Sequence, residues 1–124
     1  MALSDRRTPI EQQTILKKTY AAFNARDVDS VLVLMHSEVD WPNGWEGGRV
    51  YGREAVREYW TRQWNVLDPH VEPVGFHQDE AGRTVVEVHA IVHDREGKKL
   101  ADEMIQHVYV IEDGLIRSME IRKP

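Results

Sequence analysis

Apolar positions in the early part of the chain recur at helical spacing. Thr8-Pro9-Ile10-Glu11 has the form of a capping box, with Thr8 as N-cap, Pro9 at the first helical position and Glu11 at the third. Beyond it Leu16, Tyr20 and Phe23 fall on one stripe, flanked by Ile15, Thr19 and Ala22. Asp27 is placed to cap a second helix, in which Val28, Val31, Leu32 and Met35 follow i, i+3, i+4, i+7 spacing. Ser37 to Pro42 then reads as entry into a strand, and Pro42, Gly44, Gly47 and Gly48 mark a loop. A third helix is predicted from about Arg53 to Leu67, with Val56, Tyr59, Trp60, Trp64 and Leu67 along one face. Glu58 and Arg62 form an i, i+4 pair on the other.

At Val71 the period becomes strand-like. Strands are expected at Val71–His77, Arg83–His93, Leu100–Ile111 and Leu115–Arg122, separated by turn clusters at 79–82, 94–97 and 113–114. Asp113-Gly114 suits a type I′ turn. Helices followed by an antiparallel meander make an α+β pattern, one curved sheet wrapped over helices. With Glu96-Gly97 as a hairpin turn, Val92 pairs with Ala101, Ala90 with Glu103 and Val88 with Ile105, while Glu87 opposes Gln106 and His89 opposes Met104. Strict alternation gives the sheet two faces. One holds Val86, Val88, Ala90, Val92, Ile105, His107, Tyr109 and Ile111. The other holds Glu87, His89, Ile91, Asp102, Met104, Gln106, Val108, Met119 and Ile121. Alternation alone does not say which face meets the helices; by apolarity the first would be the core.

Composition narrows the function. At 124 residues, 41% hydrophobic and 30% charged, this is one ordinary globular domain. A net charge of -5 without a Lys/Arg stripe disfavours nucleic acid. With no cysteine there is no thiolate nucleophile and no Cys-based metal site. Met1 to Pro9 is polar and has no apolar h-region, so it reads as a short tail and not a signal peptide. The run Val31–Met35 is far below membrane-spanning length, and a cytoplasmic protein without membrane partners is the default.

Ala22-Phe23-Asn24 with Asp27, Tyr51-Gly52-Arg53-Glu54 at the third helix, and Asp113-Gly114-Leu115-Ile116 at the last hairpin give the chain a resemblance. In that order they resemble the SnoaL-like branch of the nuclear transport factor 2-like superfamily, which includes ketosteroid isomerase and polyketide cyclases. The resemblance covers nearly the whole chain. It implies a single SnoaL-like domain over residues 1–124, with 1–8 a flexible N-terminal tail. The fold implied is a cone-shaped α+β barrel, three N-terminal helices packed on a curved antiparallel sheet. Counting back from the last turn, the isomerase's pocket positions fall on Asp102, Met104, Gln106 and Met119. The resemblance therefore assigns the Glu87/His89/Gln106 face to the concave pocket. It leaves Val86, Val88, Ala90 and Ile105 as an apolar convex surface that implies a homodimer. The isomerase's own groups are missing: Trp41 stands before Pro42 in place of its general-base Asp. Its first-helix Tyr matches Thr19, with Tyr20 one position off, and its protonated Asp matches Gln106.

On that assignment His89 and Glu87, two residues apart and about 7 Å from one another on a strand, make an oriented general base. Asp102 and Gln106 supply a carboxyl group and a donor for a carbonyl oxygen that gains charge. Thr19, Phe23, Met35, Trp41, Trp60, Trp64, Met104 and Met119 are the expected substrate-binding residues, an aromatic wall suited to a small apolar molecule. His89 and His93 lie about 13 Å apart on a strand, too far to chelate, so no metal site is expected. His107 reads as a structural partner of Glu120 across the last hairpin. The favoured function is a cofactor-independent acid/base enzyme acting on a small apolar carbonyl compound by cyclase, isomerase or dehydratase chemistry. The alternatives are a non-catalytic small-molecule-binding or dimerisation module, and an epoxide hydrolase of limonene epoxide hydrolase type, to which Asp102 and Arg117 come nearest.

Overall fold

The computed structural model describes residues 9–123. In chain order it has α1 (Ile10–Asn24), α2 (Val28–Leu32), β1 (Met35–Pro42), β2 (Arg49–Tyr51), α3 (Arg53–Val66), β3 (Leu67–Gln78), β4 (Thr84–Asp94), β5 (Lys99–Glu112) and β6 (Leu115–Arg122). Thr8 and the rest of the expected tail, 1–8, lie outside the described residues. Asp27 caps α2 by accepting from the Ser30 amide. That helix is shorter than its periodicity suggested, because Met35 pairs with Ile116 of β6 and so begins β1. Arg62 reaches Glu46 at 2.9 Å, the partner it takes in place of Glu58.

The strands form one sheet in the order β2-β1-β6-β5-β4-β3. The expected α+β architecture, three helices on one curved sheet, holds, and two details of it are corrected. The β1–β6 pair is parallel, so the sheet is mixed and not antiparallel throughout. Its edges, β2 and β3, do not meet, so it is a curved open sheet and not a closed barrel. Edge strand β3 carries Pro69 and Pro73, which a central strand would not tolerate. Its backbone is covered from α1: Asn24 Nδ2 donates to the Val71 carbonyl at 2.8 Å, and the Val71 amide donates to Asn24 Oδ1 at 3.0 Å. Arg26 adds hydrogen bonds to Asp68 and to the Pro69 carbonyl. A side-chain amide thus pairs with a strand edge that would otherwise invite another chain.

Strands β4 and β5 pair in the register the turn implies, Ala90 with Glu103, Val88 with Ile105, His89 with Met104. The face assignment is overturned. Val86 and Val88 are 0% exposed, Ala90 8%, Ile105 7%, His107 6% and Tyr109 1%, whereas Met104 is 46% exposed. Apolar burial is favourable by about 25 cal/mol per Å², and a face bearing Glu87, His89 and Asp102 cannot compete for the helices. The homodimer surface drawn through Val86, Val88, Ala90 and Ile105 falls with that assignment, because α1 and α3 cover it within one chain.

Pairing in the last hairpin also departs from strict alternation. Glu112 opposes Leu115 and Ile111 opposes Ile116, but Val110 opposes Ser118, leaving Arg117 as an extra residue in β6. The bulge moves Met119 opposite Tyr109 and Ile121 opposite His107, so the expected His107–Glu120 pair does not form. Among the described residues no helix is long and apolar enough to cross a membrane.

Candidate functional site

Between α1, α3, the inner face of the sheet and the loop after β1 lies a cavity of about 270 Å³. Its walls are aromatic. Phe23 from α1 and Trp60 from α3 meet edge to face at 5.1 Å, and Trp41 from the end of β1 meets Trp60 at 5.6 Å and 84°. Each ring arrives by its element's periodicity: Phe23 continues the Leu16/Tyr20 stripe, and Trp60 follows Val56 by one helical turn. The loop that closes one side is pinned, with Asn43 accepting from the Glu46 amide at 2.7 Å and the Gly47 amide donating to the Asn43 carbonyl at 2.8 Å. Gly44 lines the cavity and is needed for close approach, since a Cβ there would lie 3.1 Å from Ile121.

At the buried end three polar side chains form a chain. Tyr109 Oη donates to Tyr20 Oη at 2.9 Å, and Tyr20 Oη lies 2.8 Å from His107 Nδ1. With one lone pair of Tyr20 engaged by Tyr109, the Tyr20 proton is directed at Nδ1, and the imidazole proton is then assigned to Nε2. The Tyr20 and His107 rings are nearly parallel, 10° apart, with centroids at 5.8 Å. Burial lowers the His107 pKa to about 4. Burial, with a smaller push from Tyr109, raises Tyr20 well above the ordinary tyrosine value, and burial raises Tyr109 likewise. All three are therefore neutral at pH 7. Such a group can polarise or share protons with a ligand oxygen while carrying no charge of its own.

The residues expected from sequence divide sharply. Thr19, Phe23, Trp41, Trp60 and Met119 line the cavity. Thr19 spends its hydroxyl on the Ile15 carbonyl at 2.9 Å, so it contributes shape more than hydrogen bonding. Met119 arrives through the β6 bulge, on the face opposite to the one alternation gave it. Met35 is buried in the core and does not line the cavity. Trp64 packs on Phe23 and Trp60 behind the wall, and its Nε1 is buried without a hydrogen-bond partner among the described residues. Met104 stands on the outer face.

Glu87, His89, Asp102 and Gln106 lie on that outer face too, away from the cavity. His89 Nε2 is 2.6 Å from Asp102 Oδ1, and Lys99 Nζ is 2.9 Å from Asp102 Oδ2. The bond to His89, then that to Lys99, holds the Asp102 carboxyl below its usual value rather than raising it, as an apolar pocket would. Gln106 donates to Glu87 at 2.8 Å. Arg117 donates to the Glu38 carbonyl and meets neither Asp102 nor the cavity, so the approach to an epoxide hydrolase site is also corrected. No cluster of three or more His, Asp or Glu able to hold a metal occurs among the described residues.

Sequence reasoning gave Tyr20, His107 and Tyr109 no place in the site, and read His107 as a structural partner of Glu120. The signals were present: Tyr20 lies on the same helical stripe as Leu16 and Phe23, and His107 and Tyr109 alternate with Ile105 on the apolar face.

A curved sheet cupping helices around one pocket defines a class, and the comparisons agree with it. The chain belongs to the SnoaL-like domain family, which matches residues 16–119. It is similar in structure to an NTF2-like protein of unknown function from Burkholderia pseudomallei K96243, at 21% identity and TM-score 0.80 over 94% of this chain and 92% of that one. It is similar to TerC co-crystallised with polyporic acid, at 26% identity and TM-score 0.78 over 92% of each. It is also similar to a candidate polyketide cyclase from Xanthomonas campestris pv. campestris, at 20% identity and TM-score 0.75 over 92% of this chain and 90% of that one. The first and third likenesses establish the fold alone. None of the curated proteins matches the chain.

Proposed function

We propose that the protein is a cytoplasmic, cofactor-independent acid–base enzyme acting on a small aromatic carbonyl compound by cyclase, isomerase or dehydratase chemistry. The observation that carries this reading is the Tyr109–Tyr20–His107 chain at the buried end of an aromatic cavity. Tyr20 occupies Nδ1, which leaves Nε2–H for a ligand oxygen. A neutral imidazole at that position is a donor that does not have to be stripped of charge when a carbonyl enters. As electron density moves onto the oxygen, the Nε2–H hydrogen bond to it strengthens, while Tyr20 keeps its proton and its donation to Nδ1 holds the imidazole in that tautomer. Tyr109 steadies Tyr20 meanwhile. Preorganised donors in a water-poor site strengthen as charge develops. The proton lost from the adjacent carbon leaves to water on the open side of the cavity.

The likeness to TerC, crystallised with polyporic acid, supports an aromatic occupant. Polyporic acid is therefore the first binding probe, read by quenching of Trp41 and Trp60 fluorescence, with Trp41→Phe expected to remove much of the change. Turnover is tested by deuterium exchange at the α-carbon of 2-tetralone in D₂O, followed by NMR. Exchange above the buffer rate that is lost in Tyr20→Phe supports the enzyme. Tight binding with exchange at the buffer rate would make the protein a carrier of the same ligand class.

A further inference from the structure

Charge is distributed unevenly around the cavity. Of the described side chains that line it, Glu103 and Lys123 alone carry a formal charge at neutral pH, since His107 is held neutral. They sit together: Lys123 Nζ is 3.2 Å from Glu103 Oε1, with side chains 67% and 43% exposed. Both are at the open side, far from the tyrosines. Glu103 pairs with Ala90 and lies four residues from His107 along β5, a backbone separation of about 13 Å. Lys123 follows two residues after Ile121, which opposes His107. The surface between the two ends is apolar, made of Ile105, Ala90, Val92 and Trp60.

Such a slot offers hydrogen-bond donors at both ends and grease between them. The inner donor is the imidazole Nε2–H. The outer one is an ammonium on a flexible stem, with three N–H groups of which Glu103 uses at most one or two. An ion pair this exposed contributes little net stability, so exchanging its carboxylate for another costs little. Glu103 can return to water when displaced.

We infer that Lys123 is the specificity-determining residue of the cavity, selecting elongated aromatic acids whose anionic group replaces Glu103. The ligand's opposite end presents a carbonyl or hydroxyl oxygen to His107. This rests on the reading of the cavity as the ligand site. It adds a ligand length, with oxygens on the order of 10 Å apart after the side chains' own reach, which corresponds to two fused rings.

Two probes of equal shape test it: 6-hydroxy-2-naphthoic acid and its primary amide, titrated against intrinsic fluorescence at low salt. A third, 6-(aminomethyl)-2-naphthol, tests the opposite charge. The acid is expected to bind the unmodified protein more tightly than the amide by on the order of fivefold, and the preference should shrink in high salt. Lys123→Gln should abolish the preference while leaving amide binding unchanged, and Glu103→Gln should widen it by removing the competing carboxylate. Equal affinity for acid and amide, or a preference that survives Lys123→Gln, overturns the role of Lys123. So does tightest binding of the amine. If acid and amide bind equally and both weaken in Tyr20→Phe, the cavity reading stands and this inference alone falls. Binding of no probe to the unmodified protein removes both.

Discussion

The two faces of the sheet each carry a histidine hydrogen-bonded to an acidic hydrogen-bonding group, and they lead to opposite chemistry. On the outer face His89 and Asp102 are both 39% exposed, with Lys99 sharing the carboxylate. On the inner face His107 is 6% exposed, meets Tyr20 and lines the cavity. The outer pair is drawn from the residue types of an acid–base dyad yet sits in water, where screening and hydration weaken every interaction. Among the described residues no carboxylate pairs with the inner group, and burial alone drives its pKa to about 4. Residue type proposes a site, but burial decides whether the groups can do work on a ligand.

That contrast can be broken most directly through activity. Given any turnover, His107→Gln should lower the rate by on the order of 10²–10⁴, the usual cost of losing a positioned acid–base group. His89→Ala should leave it nearly unchanged. Circular dichroism on both variants would check that each is folded. Equal losses would return the outer pair to consideration.

Acid stability is the next discriminator. The folded His107 value lies below the ordinary 6.5, so between about 4 and 6.5 the unfolded chain binds a proton that the folded chain refuses. Stability should be complete above pH 6.5, fall by about 3 kcal/mol as the pH approaches 4, and level off from this cause below that. Asp102, held low by His89 and Lys99, also loses its contribution on acidification, but only below its ordinary value of 3.8. Urea titrations from pH 7 to 4 should therefore show a slope that vanishes in His107→Gln and persists in Asp102→Asn.

Packing gives the smallest difference. Val88→Ala, at a fully buried position, should cost about 2 kcal/mol from lost burial and the space left behind. Met104→Ala, on the other face, should stay within about 0.5 kcal/mol. Comparable losses in thermal melts would mean that the outer face is covered in solution.

Much of the architecture was legible because its signals are local. Helical stripes at Leu16/Tyr20/Phe23 and Val56/Tyr59/Trp60 and the hairpin pairing of β4 with β5 depend on nearby residues. So does the Asp113-Gly114 turn, whose two residues have φ of 54° and 75°. The aromatic wall was half legible for the same reason. What could not be read locally was β2, three residues long, and the parallel pairing of β1 with β6 across most of the chain. The chemistry was misplaced at one step: the register carried over from the resemblance put Asp102, Met104 and Gln106 in the pocket, and a difference of one residue reverses every side chain of a strand. The apolar stripe Val86/Val88/Ala90/Ile105 was the sounder guide to the inside, since it rests on burial energy and not on a count.

The position of β6 bears on how the molecule comes to be made. It follows every other element in the chain, yet in the sheet it lies between β1 and β5. Without Leu115–Arg122 nothing in the sheet would join β2 and β1 to β5, β4 and β3, and each part would present a raw edge to the gap. The β3–β4–β5 meander can form early from neighbouring segments, whereas joining it to β1 requires closing a loop that spans most of the sequence. A nascent chain arrested just before that last strand would hold two half-sheets without a common floor, exposing the sticky edges that the finished protein conceals.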